Sequence, residues 1–250
     1  MSRKELPRVY ELIDQMQADP LKADFQNFDK SLDEERAEKP ALVCLEEELQ
    51  RVDIAVWDYF KKEVAGLSRW RELMDRINEL KGYLYLVSIG CEDIKPIPRS
   101  RGQTPDWQAI LKDRKVLCEI KTVNTSKAEM EFRKGNKVRC PNSNSGTSWI
   151  LSDRLLKQIK EKISLAEKQL KDFDASNESR RIAFIIIHFD DLLGGHPEPY
   201  FKQIEGFLRQ NPVPGTSVVC YGKTSFGEGH LSFDWHKSTQ CEPILTIKTP

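Results

Sequence analysis

The sequence predicts an α/β domain in which helices flank a mixed sheet, and three stretches carry that expectation. Arg181 to Phe189, RIAFIIIHF, is a near-continuous apolar run, as in a central strand covered on both faces. Trp149 to Phe173 is amphipathic, with Leu155, Ile159, Ile163, Ala166 and Leu170 at helical spacing. TPDWQAILKDRKVLCEIKT, residues 104–122, reads as two short strands joined by the turn-like run Lys112-Asp113-Arg114. Strands alternating with helices in 250 residues describe one layered α/β unit.

The elements follow in order. Residues 1–40 are polar and acid-rich, which predicts a loosely attached N-terminal extension with short helices; the α/β domain then spans 41–250. From Ala41 to Ala65, Leu45, Leu49, Val52, Val56, Phe60 and Val64 recur at helical spacing. A second helix presents Trp70, Leu73, Met74, Ile77 and Leu80, and Lys81-Gly82 ends it. YLYLVSI, Tyr83 to Ile89, is short, aromatic and apolar and reads as a strand. GCEDIKPIPRSRGQ carries Pro96, Pro98 and Gly102 and reads as an irregular loop. Two strands near 105–111 and 115–123 come next. The polar stretch 127–148 then predicts a long exposed loop. Ser148 is placed to cap the long helix. After strand 181–189, residues 199–210 fit a helix, Ser217 to Tyr221 a strand, and FDWH and PILTIK edge strands. The order is helix, three strands, long helix, strand, with C-terminal α/β additions.

Composition narrows the function classes. Hydrophobic residues make up 39% and charged residues 31%, enough for a core in a water-soluble chain. No run approaches the roughly 18 apolar residues of a bilayer span. MSRKELPRVYELIDQ lacks the apolar centre of a secretory signal. The six cysteines are scattered with no C-x-x-C, which favours reduced thiols over a disulfide frame or a zinc site. A cytoplasmic, nucleoid or nuclear protein is expected, not a secreted one. The net charge of zero hides segregation: residues 81–171 carry 19 basic and 10 acidic side chains, whereas both flanks are acidic. A basic middle third suits a polyanion, and it also suits a solvated helix face.

The hairpin stretch carries charges where a buried sheet should have none. Side chains alternate along a strand, so Val116, Cys118, Ile120 and Thr122 share one face and Leu117, Glu119 and Lys121 the other. Glu119 and Lys121 must be paired, metal-bound or open to solvent. An antiparallel hairpin of this length brings Asp106, at the start of one strand, beside them. Two carboxylates and the Ile120 carbonyl make a hard oxygen site suited to Mg²⁺ (or Mn²⁺).

Pro105-Asp106 followed by Glu119-Ile120-Lys121 resembles the PD-(D/E)XK nuclease superfamily, which includes restriction endonucleases and junction resolvases. The resemblance covers about residues 42–190. It implies a restriction-endonuclease-like core and a Mg²⁺-dependent nuclease, an endonuclease acting on DNA. Asp106, Glu119 and the Ile120 carbonyl would hold the metal, and Lys121 would assist the attacking water. Many members add a Glu from the first core helix. Glu48 and Glu63 fall near the apolar face of helix 41–65, and Glu48 is preferred for that place, whereas Glu72 and Glu79 point away from the apolar face of the next helix. On the long helix, Gln158 and Lys162 flank the apolar stripe where relatives place a supporting side chain; the sequence Gln158-x-x-x-Lys162 departs from the exonuclease branch. Arg133, Lys134, Lys137 and Arg139, in the polar loop, would contact phosphates. His188, Asp190 and Asp191 better suit a strand end, and Phe132, Trp149 and Trp107 better suit packing than base stacking. A homodimer is compatible with this reading. The alternative is a non-catalytic nucleic-acid-binding or assembly protein on the same fold.

Overall fold

The computed structural model describes residues 4–15, 39–67, 70–99, 103–124, 129, 150–176, 178–188, 198–223 and 245–247. Six helices and six strands occupy them: α1 Pro7–Gln15, α2 Lys39–Gln50, α3 Ile54–Val64, α4 Trp70–Ser88, β1 Glu92–Pro96, β2 Trp107–Leu111, β3 Arg114–Asn124, α5 Asp153–Phe173, β4 Arg180–His188, α6 Glu198–Gln210, β5 Ser217–Lys223 and β6 Leu245–Ile247. The strands form one sheet in chain order, β1 to β6. β3, β4 and β5 are parallel, and the outer pairings are antiparallel. The chain is therefore α/β with a mixed sheet between helices.

The two sheet faces are covered by different helices. Val116, Cys118, Ile120, Ile182, Phe184 and Ile186 pack with side chains of α1 to α4. Val123, Ala183, Ile185, Ile187, Val218 and Cys220 pack under α5 and α6. β4 is buried from Arg181 to Ile187, as its continuous apolar sequence predicts. Among the described residues, no helix is long and apolar enough to cross a membrane.

Four local expectations are corrected. The expected helix 41–65 is two helices: Leu45, Leu49, Val52, Val56, Phe60 and Val64 are all buried, but the chain breaks at 51–53. There Asp53 caps α3, its Oδ1 accepting the Ala55 N–H at 2.8 Å. The expected strand 83–89 belongs to α4. Tyr83 to Leu86 are all buried between sheet and helices, and a helix buried on all sides loses the periodicity that marks it. Gly82 does not end α4 but lets it approach the sheet, since a Cβ there would lie 2.6 Å from Ile120 Cδ1. The stop comes at Gly90 (φ 79°), with Cys91 N–H bonded to the Leu86 carbonyl and Gly90 N–H to that of Val87, both at 3.0 Å. The expected loop after it holds β1, a short edge strand whose register shifts between Glu92 and Lys95. The long helix starts at Asp153 rather than Trp149. Its cap is Ser152, whose Oγ accepts the Leu155 N–H at 3.2 Å; Ser148 lies outside the described residues.

The N-terminal segment also packs more closely than its composition suggests. Leu6, Val9, Tyr10, Leu12 and Ile13 are buried in the core shared with α2 to α4. The Glu46 carboxylate accepts the N–H groups of Arg8 (3.2 Å) and Val9 (2.9 Å), two of the open donors at the start of α1. Trp57 Nε1 donates to Glu11 Oε2 at 2.7 Å.

Candidate active site

The β2–β3 hairpin turns through Lys112 and Asp113, both at positive φ (50° and 62°), the geometry of a tight two-residue hairpin turn. Leu111 pairs with Arg114, and the ladder runs to Trp107 opposite Cys118. Beyond that pair β2 has ended, while β3 continues. The N–H of Ile120 is taken instead by Asp106 Oδ2 at 2.8 Å. The hairpin itself therefore places the Asp106 carboxylate beside Glu119, Ile120 and Lys121.

The faces of β3 follow the predicted alternation. Val116, Cys118 and Ile120 lie against α4, and Thr122 accepts from Asn78 Nδ2 at 3.1 Å on that side. Leu117 packs with Leu170 of α5. Glu119 and Lys121 share that face. Lys121 Nζ donates to Glu119 Oε1 and, at 3.1 Å, to Gln169 Oε1 of α5. Gln169 is fixed in turn by donating to the Thr104 carbonyl at 2.6 Å.

A cavity of about 440 Å³ opens at this end of the sheet. Asp106, Glu119, Lys121 and Gln169 line it, joined by Glu79 and Arg76 of α4. Glu79 Oε1 and Oε2 accept from Arg76 Nη1 at 3.0 and 3.2 Å, and Oε1 also accepts from Arg99 Nη2 at 2.7 Å. Arg76 Nη2 reaches Glu63 Oε2 of α3 at 3.9 Å. The Glu79 carbonyl accepts from Trp107 Nε1 at 2.9 Å, which ties α4 to the start of β2. Trp107 is 3% exposed, a packing role as expected.

Electrostatically the cavity holds more negative charge than it can solvate. Burial and the Asp106 charge push the Glu119 carboxyl up to about 8, against the pull of Lys121. Burial raises Asp106 as well, opposed by the Ile120 N–H and Lys121. Burial and the charge on Asp106 raise Glu79 well above its ordinary value, with Arg76 opposing. Glu119 is 2% exposed, and its Oε2 is buried with no hydrogen-bond partner among the described residues. That orphaned oxygen beside a second carboxylate fits a hard cation. Among the described residues no three His, Cys, Asp or Glu side chains are grouped at metal-ligand spacing. An ion held there would take two carboxylates from the chain and waters for the rest, the kind of coordination common for Mg²⁺.

The sequence-predicted residues divide sharply. Asp106, Glu119, Ile120 and Lys121 line the cavity. Glu48 does not: it is ion-paired with Lys81 in the helical layer. Gln158 does not either. It stands eleven residues before Gln169 on the same flank of α5, about 16 Å along the axis. Arg133, Lys134, Lys137 and Arg139 lie outside the described residues, as do Asp190 and Asp191. Glu129, from the same polar stretch, is buried and accepts from the Ser152 N–H at 3.1 Å and from its hydroxyl. Sequence reasoning set Glu79 aside because it points away from the apolar face of its helix; in the structure that flank lines the cavity. It missed Gln169, whose signal is a polar residue beside Leu170 on the buried stripe.

No family model, curated protein or solved structure matches the chain.

Proposed function

We propose that this chain is a nuclease of the PD-(D/E)XK type, with a restriction-endonuclease-like core, that hydrolyses phosphodiester bonds in DNA with bound Mg²⁺ (or Mn²⁺). The observation that carries the reading is the buried Glu119 Oε2, without a hydrogen-bond partner, set beside Asp106 and two residues from Lys121. The element order, from α4 through the three-strand meander to α5 and β4, supports the same reading. The basic middle third supports a nucleic-acid substrate.

Asp106 and Glu119 would hold the metal, with the Ile120 carbonyl as the further oxygen the resemblance implies. When bound, the metal supplies a nucleophile at neutral pH and neutralises charge on the phosphoryl oxygens. The residues of the chain do the rest. Lys121 Nζ, already bonded to Glu119 and Gln169, has one donor left, which would go to the attacking water or to the oxygen on which charge develops. Gln169 keeps that ammonium aimed. Glu79 stands in the wall as a further acidic group on the first core helix, the place at which the sequence expectation put Glu48.

The test is cleavage of mixed duplex, single-stranded and RNA substrates with and without Mg²⁺, using wild type, Asp106→Asn and Lys121→Met. Metal-dependent cleavage of DNA lost in both variants is expected. Wild-type protein that cleaves none of these substrates in Mg²⁺ or Mn²⁺ would sink the proposal.

A further inference from the structure

We infer that the cavity receives one unpaired nucleotide with its base against Tyr59, so that the substrate is single-stranded DNA, a tail or a gap, and not intact duplex; this rests on the nuclease reading above. Three observations carry it. The first is enclosure. Glu119 is 2% exposed, so a phosphate must come inside the cavity to meet it. The walls come from α3 (Tyr59, Glu63), from residues that follow β1 and precede β2 (Arg99, Thr104) and from α5 (Gln169). A volume of about 440 Å³ is that of a pocket for one drug-sized ligand, the size of a single nucleotide. A duplex, whose grooves alone are about 12 and 6 Å wide, does not fit it.

The second is the lining. Beside the charged groups, Tyr59, Pro96, Ile97 and Pro105 give the cavity an apolar part. A phosphodiester backbone gains nothing from such a surface, whereas a base does.

The third is the state of Tyr59. α3 buries Val56, Trp57, Phe60 and Val64 in the core and leaves Tyr59 half-buried in the cavity wall. Among the described residues its hydroxyl has no hydrogen-bond partner and its ring no aromatic neighbour. Burial, then the charges on Glu63, Glu79 and Asp106, push its pKa up. The ring is thus within electrostatic reach of the carboxylates, and its hydroxyl stays neutral. A neutral aromatic face open to a nucleic-acid cavity is a stacking platform, tolerant of sequence because every base has a π-face. A base in a duplex must first be unpaired and unstacked to use it, a cost that a single strand does not bear.

The experiment measures binding by fluorescence anisotropy in Mg²⁺, in the Lys121→Met background that slows cleavage. Three probes of one length are compared: a DNA single strand, its blunt duplex, and a strand of abasic residues. Each is titrated with protein carrying Tyr59, Tyr59→Ala or Tyr59→Phe. Cleavage of a single strand, a tailed duplex and a closed circular duplex by wild type is followed alongside. The single strand is expected to bind at least about tenfold tighter than the duplex, and strand and tail to be cut at least about a hundredfold faster than the closed circle. Tyr59→Ala should weaken binding of the normal strand about tenfold, and of the abasic strand and duplex less than about twofold; Tyr59→Phe should bind like the parent. A merely structural Tyr59 would weaken all three probes alike when truncated. An abasic strand that loses as much affinity as the normal one, or a closed circle cut as fast as a single strand, overturns the inference alone. Wild type that cuts none of the substrates overturns the nuclease reading and this inference together.

Discussion

Among the described residues, two Glu–Lys pairs have a buried member, Glu48–Lys81 and Glu119–Lys121, and they differ in what surrounds the carboxylate. Glu48 and Lys81 join α2 to α4, with side chains 12% and 3% exposed, and Lys81 Nζ sits 5.4 Å over the Tyr221 ring. Neither Glu48 oxygen is among the buried atoms left without a partner. Glu119 and Lys121 sit on one strand face, and there one carboxylate oxygen has no partner and a second carboxylate, Asp106, adjoins it. The first pair is neutral and closed, as burial demands. The second carries surplus negative charge into a cavity. A buried ion pair alone says little about function; an unsatisfied one that faces a cavity with a like charge beside it calls for a ligand.

Lys121→Met and Lys81→Met should separate the two pairs most widely. Lys121→Met is expected to lower cleavage by at least about a hundredfold, the scale for losing one charged or acid–base group. Its thermal midpoint in Mg²⁺ should stay close to that of wild type, because the metal still pairs Glu119. Normal cleavage, or a much lower midpoint in Mg²⁺, would break the assigned role. Lys81→Met should do the reverse. Stranding Glu48 costs about 3–5 kcal/mol of folding stability by denaturant titration, with cleavage per folded molecule unchanged. Equal stability losses in the two variants would erase the distinction drawn here.

The pH dependence sharpens it further. Glu119 is raised from an ordinary 4.5 to about 8 in the folded chain. As pH rises, the unfolded state loses this proton first, so ionisation favours unfolding from about pH 4.5 until the folded group also titrates near 8. Metal-free wild type should therefore lose about 2–4 kcal/mol between pH 5 and 8.5 relative to Glu119→Gln, at most about 1.4 kcal/mol per unit. Added Mg²⁺ should reduce that loss. Parallel stability profiles for the two proteins would refute the shift.

The smallest expected effect is at α5. Gln169→Leu frees Lys121 from its second anchor and should lower cleavage about tenfold, roughly 1.4 kcal/mol of transition-state positioning. Gln158→Leu, on the same helix flank, should leave cleavage within about twofold. Similar losses in both variants would mean that the helix flank, not the contact with Lys121, sets the rate.

The α/β class, β4 as a buried central strand, and the sharing of one face by Glu119 and Lys121 are all legible in the chain before it is folded. So is the hairpin that carries Asp106 to them. Each of these rests on short-range geometry: strand alternation, a two-residue turn and a continuous apolar run. The tertiary structure decided what comes from elsewhere in the chain. Tyr83 to Ser88 continue the helix although they read as strand, because burial of Tyr83 to Leu86 removes the periodicity that marks a helix, and Gly82 lies inside it where α4 closely approaches Ile120. Glu79 rather than Glu48, and Gln169 rather than Gln158, reached the cavity because the turn of a helix that arrives there depends on where α4 and α5 start and how they lie across the sheet. Helical periodicity tells which flank a polar residue occupies; only packing tells how far along the sheet that flank comes to rest.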